Sequence, residues 1–372
     1  MSGVDAKNLV RLRVNGIDYG GWKSVEIGAG IERVARDFRL SVTDKWPDAT
    51  AGSRRPRVGD QVEVLIGDDK VITGWIDAMP RSYDGTSRSH GVAGRSKTAD
   101  LVDCSAINEP GQWRGLKLER IAEAMAGEYG VSVVTETDTG AAIPDHQIQQ
   151  GESVFESLDR MMRLRHVLAT DDGEGRLVIT QPSTRRTADA LVYGENILSA
   201  DAPFDFKDVY SEYRVKGQTS GTDENFGELC SAVGETADPA ITRRRVLLIK
   251  QSGQGDGGTC GKRAEFERAK RLTKALEVTY TVQGWRQSTG DLWVPNRIVQ
   301  VRDTELGLAR DMLIAEVTYR LDENGTVAVL RVGPPEGYQA EPPKGKRGKK
   351  SGGGADVSGV DEWEVFPMVV EG

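Results

Sequence analysis

The tightest constraint on the fold is a two-residue rhythm near the start of the chain. In Leu9-Val-Arg-Leu-Arg-Val14, Val10, Leu12 and Val14 share one face and Arg11 and Arg13 the other, the period of a half-buried strand. Asn15-Gly16 then supplies a hairpin turn. Further strands are predicted at 38–42, 62–64, 71–72 and around Trp75, separated by Gly, Asp and Asn turns. Short strands joined in this way predict an antiparallel barrel or sandwich, placed at residues 1–103.

After Cys104 the period changes. Leu116, Leu118, Ile121, Ala122, Met125 and Tyr129 recur at helical spacing, with Gly130 where a C-terminal cap is expected. A strand at 131–134 follows, and Ser153-Val-Phe-Glu156 reads as a capping box opening a second helix with Phe155, Leu158, Met161 and Met162 apolar. That helix leads into a hairpin, 166–170 and 176–181 around the turn Asp171-Asp-Gly-Glu-Gly175. These elements define an α+β middle module at 104–204. Alternating strands return from about Phe204, interrupted by a polar stretch, 217–240, expected to be a surface loop or insertion. A helix over 265–276 places Phe266, Ala269, Leu272 and Leu276 on one stripe, with Arg263, Arg268, Lys270, Arg271 and Lys274 around the remainder. It runs into a strand at 278–282, completing a unit at 205–338.

The first and last units echo each other. Val62-Glu-Val64 has a counterpart in Val299-Gln-Val301, Asp84-Gly-Thr86 in Asn324-Gly-Thr326, and the closing strands end at Gly94 and Gly333. Coincidence is the competing reading, because Gly-Thr turns between apolar strands are common in β proteins. A duplicated β unit flanking an inserted module explains more of the chain. The expected fold class is mainly β with an α+β insertion: two related antiparallel β-barrel domains around a small helix-containing module.

Composition narrows the function. With 38% apolar and 28% charged residues, the 372-residue chain is ordinary for a globular protein, long enough for two to four compact units. A net charge of −8 argues against a general nucleic-acid binder. Cys104, Cys230 and Cys260 lie too far apart for a metal knuckle or a disulfide framework, which fits a reducing compartment. No stretch has the roughly 18 apolar residues that span a bilayer, and the polar start lacks a signal pattern, so no membrane anchor is expected.

Chemistry is sparse. The Asp171–Gly175 cluster lacks the spacing of a calcium loop and reads as a turn. His90, His146 and His166 have no catalytic company in the sequence, and His166 is expected to be packed or solvated. Gln251–Gly258 lacks the Lys-Ser/Thr of a phosphate cradle and reads as a flexible loop. Glu265 and Glu267 interrupt the basic helix, which favours a solvated or subunit-facing surface over a nucleic-acid contact. No catalytic residue, cofactor or metal site is assigned, and the expectation is a protein that is not an enzyme. Residues 339–372 combine a Lys/Gly-rich linker with an apolar segment, in which Trp363, Val365, Phe366, Met368 and Val369 form a candidate partner-binding peptide.

Four stretches carry a family resemblance: Ala264-Glu-Phe-Glu-Arg-Ala269, Val282-Gln-Gly-Trp-Arg286, Leu292-Trp-Val-Pro-Asn296 and Val332-Gly-Pro-Pro-Glu-Gly-Tyr338. With Gly151-Glu-Ser-Val-Phe-Glu156 and the N-terminal strands, they resemble the baseplate hub proteins of Mu-like contractile-tailed phages over about 1–338. Such hubs are similar in fold to the N-terminal hub of type VI secretion spike proteins. The resemblance implies a homotrimer whose two barrels per chain make a pseudo-sixfold ring. That ring would join a hexameric tail tube protein to a trimeric central spike protein, contact other baseplate or tail-tip proteins, and pass genomic DNA without reading its sequence. It implies a virion component assembled in the host cytoplasm. The competing readings are a tail-associated cell-wall-degrading enzyme, for which the sequence offers no convincing pair of acid and nucleophile, and a carbohydrate-binding module, which needs exposed aromatic platforms; Trp285 and Trp293 alone come near that, and both read as barrel packing.

Overall fold

The computed structural model describes residues 6–43, 56–85, 88–218, 231–254 and 257–340. The rhythm at the start folds as read: Val10–Val14 buries alternate residues, and Asn15 and Gly16, with φ of 50° and 78°, turn it onto Ile17–Tyr19. Two positive φ values make this a type I′ turn, whose backbone twist matches that of the strands it joins.

The strands assemble mainly into one fourteen-stranded sheet. Its path runs Ile197–Asp201, Val278–Gln283, Gly325–Gly333, Leu308–Asp322, Ser24–Gly30, Asp37–Thr43, Arg88–Ser96, Asp69–Ala78, Gln61–Ile66, Val10–Val14, Ile17–Tyr19. Leu191–Val192 and Ile298–Asp303 join beside Leu308–Asp322, and Arg81–Tyr83 beside Arg88–Ser96. The path is open among the described residues, which corrects the expectation of two closed barrels. The cause is the fifteen-residue strand Leu308–Asp322. Its first part pairs with Ile298–Asp303, and on the same edge Glu316–Leu321 pairs with Ser24–Gly30 of the N-terminal unit. Side chains of both units then meet in a single apolar cluster that includes Leu12, Phe38 and Ile72 as well as Tyr280, Trp285 and Leu330.

Within this sheet the same strand order occurs twice. One half runs Val10–Val14, Gln61–Ile66, Asp69–Ala78, Arg88–Ser96, Asp37–Thr43, Ser24–Gly30. The other runs Leu191–Val192, Ile298–Asp303, Leu308–Asp322, Gly325–Gly333, Val278–Gln283, Ile197–Asp201. The halves differ at their first pair, antiparallel in the former and parallel in the latter.

Three helices, Ala99–Asp103 (α1), Leu118–Gly127 (α2) and Val154–Arg165 (α3), pack with a three-stranded sheet of Val133–Thr135, Leu177–Thr180 and Leu168–Asp171 around a second core. The expected helix starts two residues late because Leu116 instead bridges Ile143. The capping box forms with Ser153 and Glu156 in reciprocal hydrogen bonds, and His166, in left-handed conformation at φ 54°, closes α3.

A third layer corrects two sequence expectations. Ser231–Ala237, inside the stretch read as a loop, is an edge strand beside Glu212–Gln218, and both pack against helix Gly257–Leu276 (α4). The Gly-rich run read as a loop is divided between the strand Val246–Gln254 and the start of α4. Both read as loops because they are short of large apolar residues, yet close approach requires small ones. A Cβ on Gly234 would stand 2.1 Å from the backbone nitrogen of Gly261, so only glycine lets α4 lie this near the sheet. α4 buries Cys260, Ala264, Phe266, Glu267, Thr273 and Ala275, so of the expected stripe only Phe266 is buried.

Candidate functional site

Arginines bridge the joints between units, and at one joint the carboxylate they meet is buried. Arg36, in the turn between Ser24–Gly30 and Asp37–Thr43, reaches into the middle module, where its backbone N–H and Nε donate to the Asp171 carboxylate at 3.0 and 3.1 Å. Its Nη1 donates back to the carbonyl of Val71. Asp171 is almost wholly buried, and that burial pushes its carboxyl above the ordinary range, against the opposing pull of Arg36. Thr73 Oγ1 to the carbonyl of Gly173 and Thr170 Oγ1 to the carbonyl of Gly30 complete the seam.

Arg286 stitches the second half of the sheet to the first. Its guanidinium donates to Asp69 Oδ2 at 2.7 Å and to the carbonyls of Lys7 and Ile66. Arg331 ties strand Gly325–Gly333 to three carboxylates, Glu277 at 2.8 Å, Glu32 at 2.9 Å and Glu316 at 3.3 Å. Burial works against its charge, but Glu277 and Glu32 outweigh it and hold the guanidinium above its ordinary pKa. The Tyr338 hydroxyl donates to the same Glu277, and burial together with that carboxylate pushes the phenol up.

The five cations assigned to the basic helix divide among different surroundings. Arg263 and Arg271 flank buried Glu267 at 2.6 and 3.2 Å, and Arg271 also lies over the Tyr210 ring. Lys270 stands 5.5 Å from the centre of the Phe266 ring. Arg268 lines a cleft of about 590 Å³ between α4, His166 and Gln181 of the middle module, and Glu336. Lys274 is exposed. The peptide residues Trp363, Val365, Phe366, Met368 and Val369 lie outside the described residues, as does Cys230.

His146 has the company that the sequence did not reveal. Its Nε2 is 2.9 Å from Ser157 Oγ, and its ring stacks on Trp113 at 6.0 Å. The pair cannot meet a substrate, because Ser157 faces inward from α3 with no exposure and His146 is buried. Burial and nearby Arg160 lower the imidazole to about 4, which keeps it neutral. No cluster of three or more potential metal ligands occurs among the described residues, and no described helix is long and apolar enough to cross a membrane.

Arg36, Arg286 and Arg331 are the residues that sequence reasoning missed. Arg286 alone lay within a stretch that carried the family resemblance. A charged residue's distant partner leaves no local pattern, so nothing in the sequence marked the other two.

Ion pairs at the seams, Arg36–Asp171, Arg286–Asp69 and Arg331–Glu32, join the units, an arrangement that fits the class of structural assembly proteins. Comparison with known proteins narrows it. Residues 9–96 match the model of the Mu phage baseplate assembly protein GpP-like N-terminal domain. Residues 98–181 match that of the baseplate hub protein gp44-like second domain, and 258–341 that of the GpP fourth domain. Baseplate hub protein gp44 of Escherichia phage Mu is 34% identical over 97% of each chain. The crystal structure of the 43 kDa tail protein of prophage MuSo2 from Shewanella oneidensis superposes with a TM-score of 0.81 at 33% identity, over 89% of this chain and 99% of that one. An Escherichia coli component of the type VI secretion system, described as similar to T4 tail proteins, shares the fold at a TM-score of 0.54 and 11% identity, over 89% and 79%. The chain belongs to the Mu-type baseplate hub protein family, whose members are structural proteins of the phage tail.

Proposed function

We propose that three copies of this hub form a ring in which the two halves of each sheet occupy six like positions. The ring joins a hexameric tail tube to a trimeric central spike and surrounds the channel through which genomic DNA leaves. The observation that carries this reading is the repeated strand order, six strands in the same sequence of neighbours in each half. A sixfold tube needs six similar seats, and a threefold spike needs three identical chains. In this reading the halves are the barrel-like units expected at 1–103 and 205–338, the second extended by Leu191–Val192 and Ile197–Asp201, each curling further when neighbours meet its edges. The helices and small sheet of the middle module, up to Thr180, lie outside the ring, and α4 presents Arg268, Lys270 and Lys274 toward neighbouring subunits or other baseplate proteins. The linker and apolar peptide within 339–372 tether a partner through Trp363, Val365, Phe366, Met368 and Val369.

The hub acts without catalysis and assembles in the host cytoplasm before joining the virion. A carbohydrate-binding module draws no support, because Trp285 and Trp293 are 1% and 2% exposed. Light scattering of the purified full chain, followed by imaging of the particles, tests the ring. A particle of three copies with a central opening is the expected result, and a stable monomer with hydrolytic activity would overturn it. Deleting 355–372 tests the peptide: assembly with the spike should weaken while the ring persists, and unchanged assembly would count against the anchor.

A further inference from the structure

The two sheet halves can be matched residue by residue. Gly59 N–H donates to the Ile76 carbonyl and Ile76 N–H to that of Asp60; Asn296 and Arg297 make the same exchange with Ile314. Gly59 and Asn296 both hold positive φ, at 87° and 60°. One residue later each strand carries the same bulge, between Ile76 and Ala78 and between Ile314 and Glu316. Ala78–Tyr83 therefore corresponds to Glu316–Leu321. Tracing the ladders across, Val25 reaches Val92 through Leu40, and Ala200 reaches Leu330 through Tyr280, which makes 199–204 the counterpart of 24–29.

Inside the chain these positions meet at the junction of the halves, where Leu321, Arg320, Tyr319 and Thr318 pair with Val25, Glu26, Ile27 and Gly28. Their counterparts, Tyr83, Ser82, Arg81 and Pro80 on one side and Ala200, Asp201, Ala202 and Pro203 on the other, stand at two separate strand edges with no such partner. Among the described residues Ile197–Asp201 ends the sheet path, and Arg81–Tyr83 pairs only with Arg88–Ser96.

We infer that Ile197–Asp201 of one copy pairs antiparallel with Arg81–Tyr83 of the next, repeating the internal junction between subunits. This inference rests on the ring reading and names the strands and register that close it. Three observations favour a second copy as the occupant of these edges. The interface already exists once, within the chain, between the corresponding strands. On the sides that would face the core, Met79, Ala202 and Phe204 are only partly covered and Tyr83 is 85% exposed, with Arg81, in the place of Tyr319, the one charged side chain among them. Pro80 and Pro203 fall opposite each other, in the places of Thr318 and Gly28. Neither proline has an N–H to give, so hydrogen bonding stops from both strands at the same rung. Paired rungs would run from Tyr83 opposite Ala200 to Arg81 opposite Ala202. With three such junctions inside chains and three between them, the ring closes and both of these edges are covered in every copy.

The test uses the full-length chain carrying Ser82→Cys and Asp201→Cys, with both single variants as controls for the native cysteines. Directly opposed residues bring Cβ atoms to about 4.5–5.5 Å, near disulfide range, whereas a displacement of two rungs opens roughly 7–8 Å. Mild oxidation should give a covalent trimer on a non-reducing gel, while the singles and the displaced pair Ser82→Cys/Ser199→Cys should not. Light scattering is measured in parallel. A trimer that does not cross-link at 82 and 201, or that links equally through 82 and 199, overturns the strand assignment and leaves the ring standing. A monomer overturns both. In a second variant, Ala200→Lys places a charge on the core-facing side of the edge. It should weaken assembly about tenfold or more with the melting temperature of the single chain unchanged; unaltered assembly counts against the pairing.

Discussion

Asp171 and His146 show how much stability single polar residues carry here. Asp171 receives two donors from Arg36, which is itself mostly covered. Asp171→Ala would leave that guanidinium without its counter-charge at the seam of two units, and removing one member of a buried pair costs about 3–5 kcal/mol. Urea unfolding should record that loss, with Asp171→Asn falling less because an acceptor oxygen remains. His146 gives a pH signature. Its folded pKa of about 4 lies below the ordinary 6.5 of a histidine, so between those values the unfolded chain binds more protons. Stability should therefore rise with pH across that window, and below about pH 4 the dependence from this group ends. The contribution is on the order of 1–3 kcal/mol. Denaturant melts of wild type and His146→Phe at pH 4, 5.5 and 7 should differ in slope by that amount, the variant being flatter.

At the scale of elements, α4 is held by what its neighbours lack. Gly234 touches the backbone of Cys260 and Gly261 where any Cβ would collide. Gly234→Val should cost at least the 1–3 kcal/mol typical of overpacking, and faster amide exchange in α4 would be the measurement. α3 is fixed by a local device instead. Losing the Ser153 cap through Ser153→Ala should remove about 1 kcal/mol, seen as a small drop in melting temperature. The cap was legible in the sequence because it needs only residues three apart. The strand Ser231–Ala237 was not, because its glycine and small residues are explained by a helix that begins some twenty residues later.

For the whole molecule, the shared core predicts cooperativity between halves that are distant in sequence. Phe38→Ala, a fully buried change worth about 3–5 kcal/mol, should speed hydrogen exchange in Gly325–Gly333 as much as in Arg88–Ser96, since both belong to one cluster. Exchange confined to the first half would mean separate cores. The sequence by itself determined the elements whose signals are local: the alternation of Val10–Val14, the Asn15-Gly16 turn, the capped helix α3, the hairpin after it, and the order of motifs that places the chain among phage hubs. Tertiary structure alone decided that Glu316–Leu321 pairs with Val25–Gly30, making one open sheet where two barrels were expected. It also decided that Arg36, Arg286 and Arg331 hold the units together. The physical reason is the same for both. Strand edges offer backbone donors and acceptors that any extended segment can meet, and an arginine can meet any carboxylate, so partners far apart in the chain are chosen by packing.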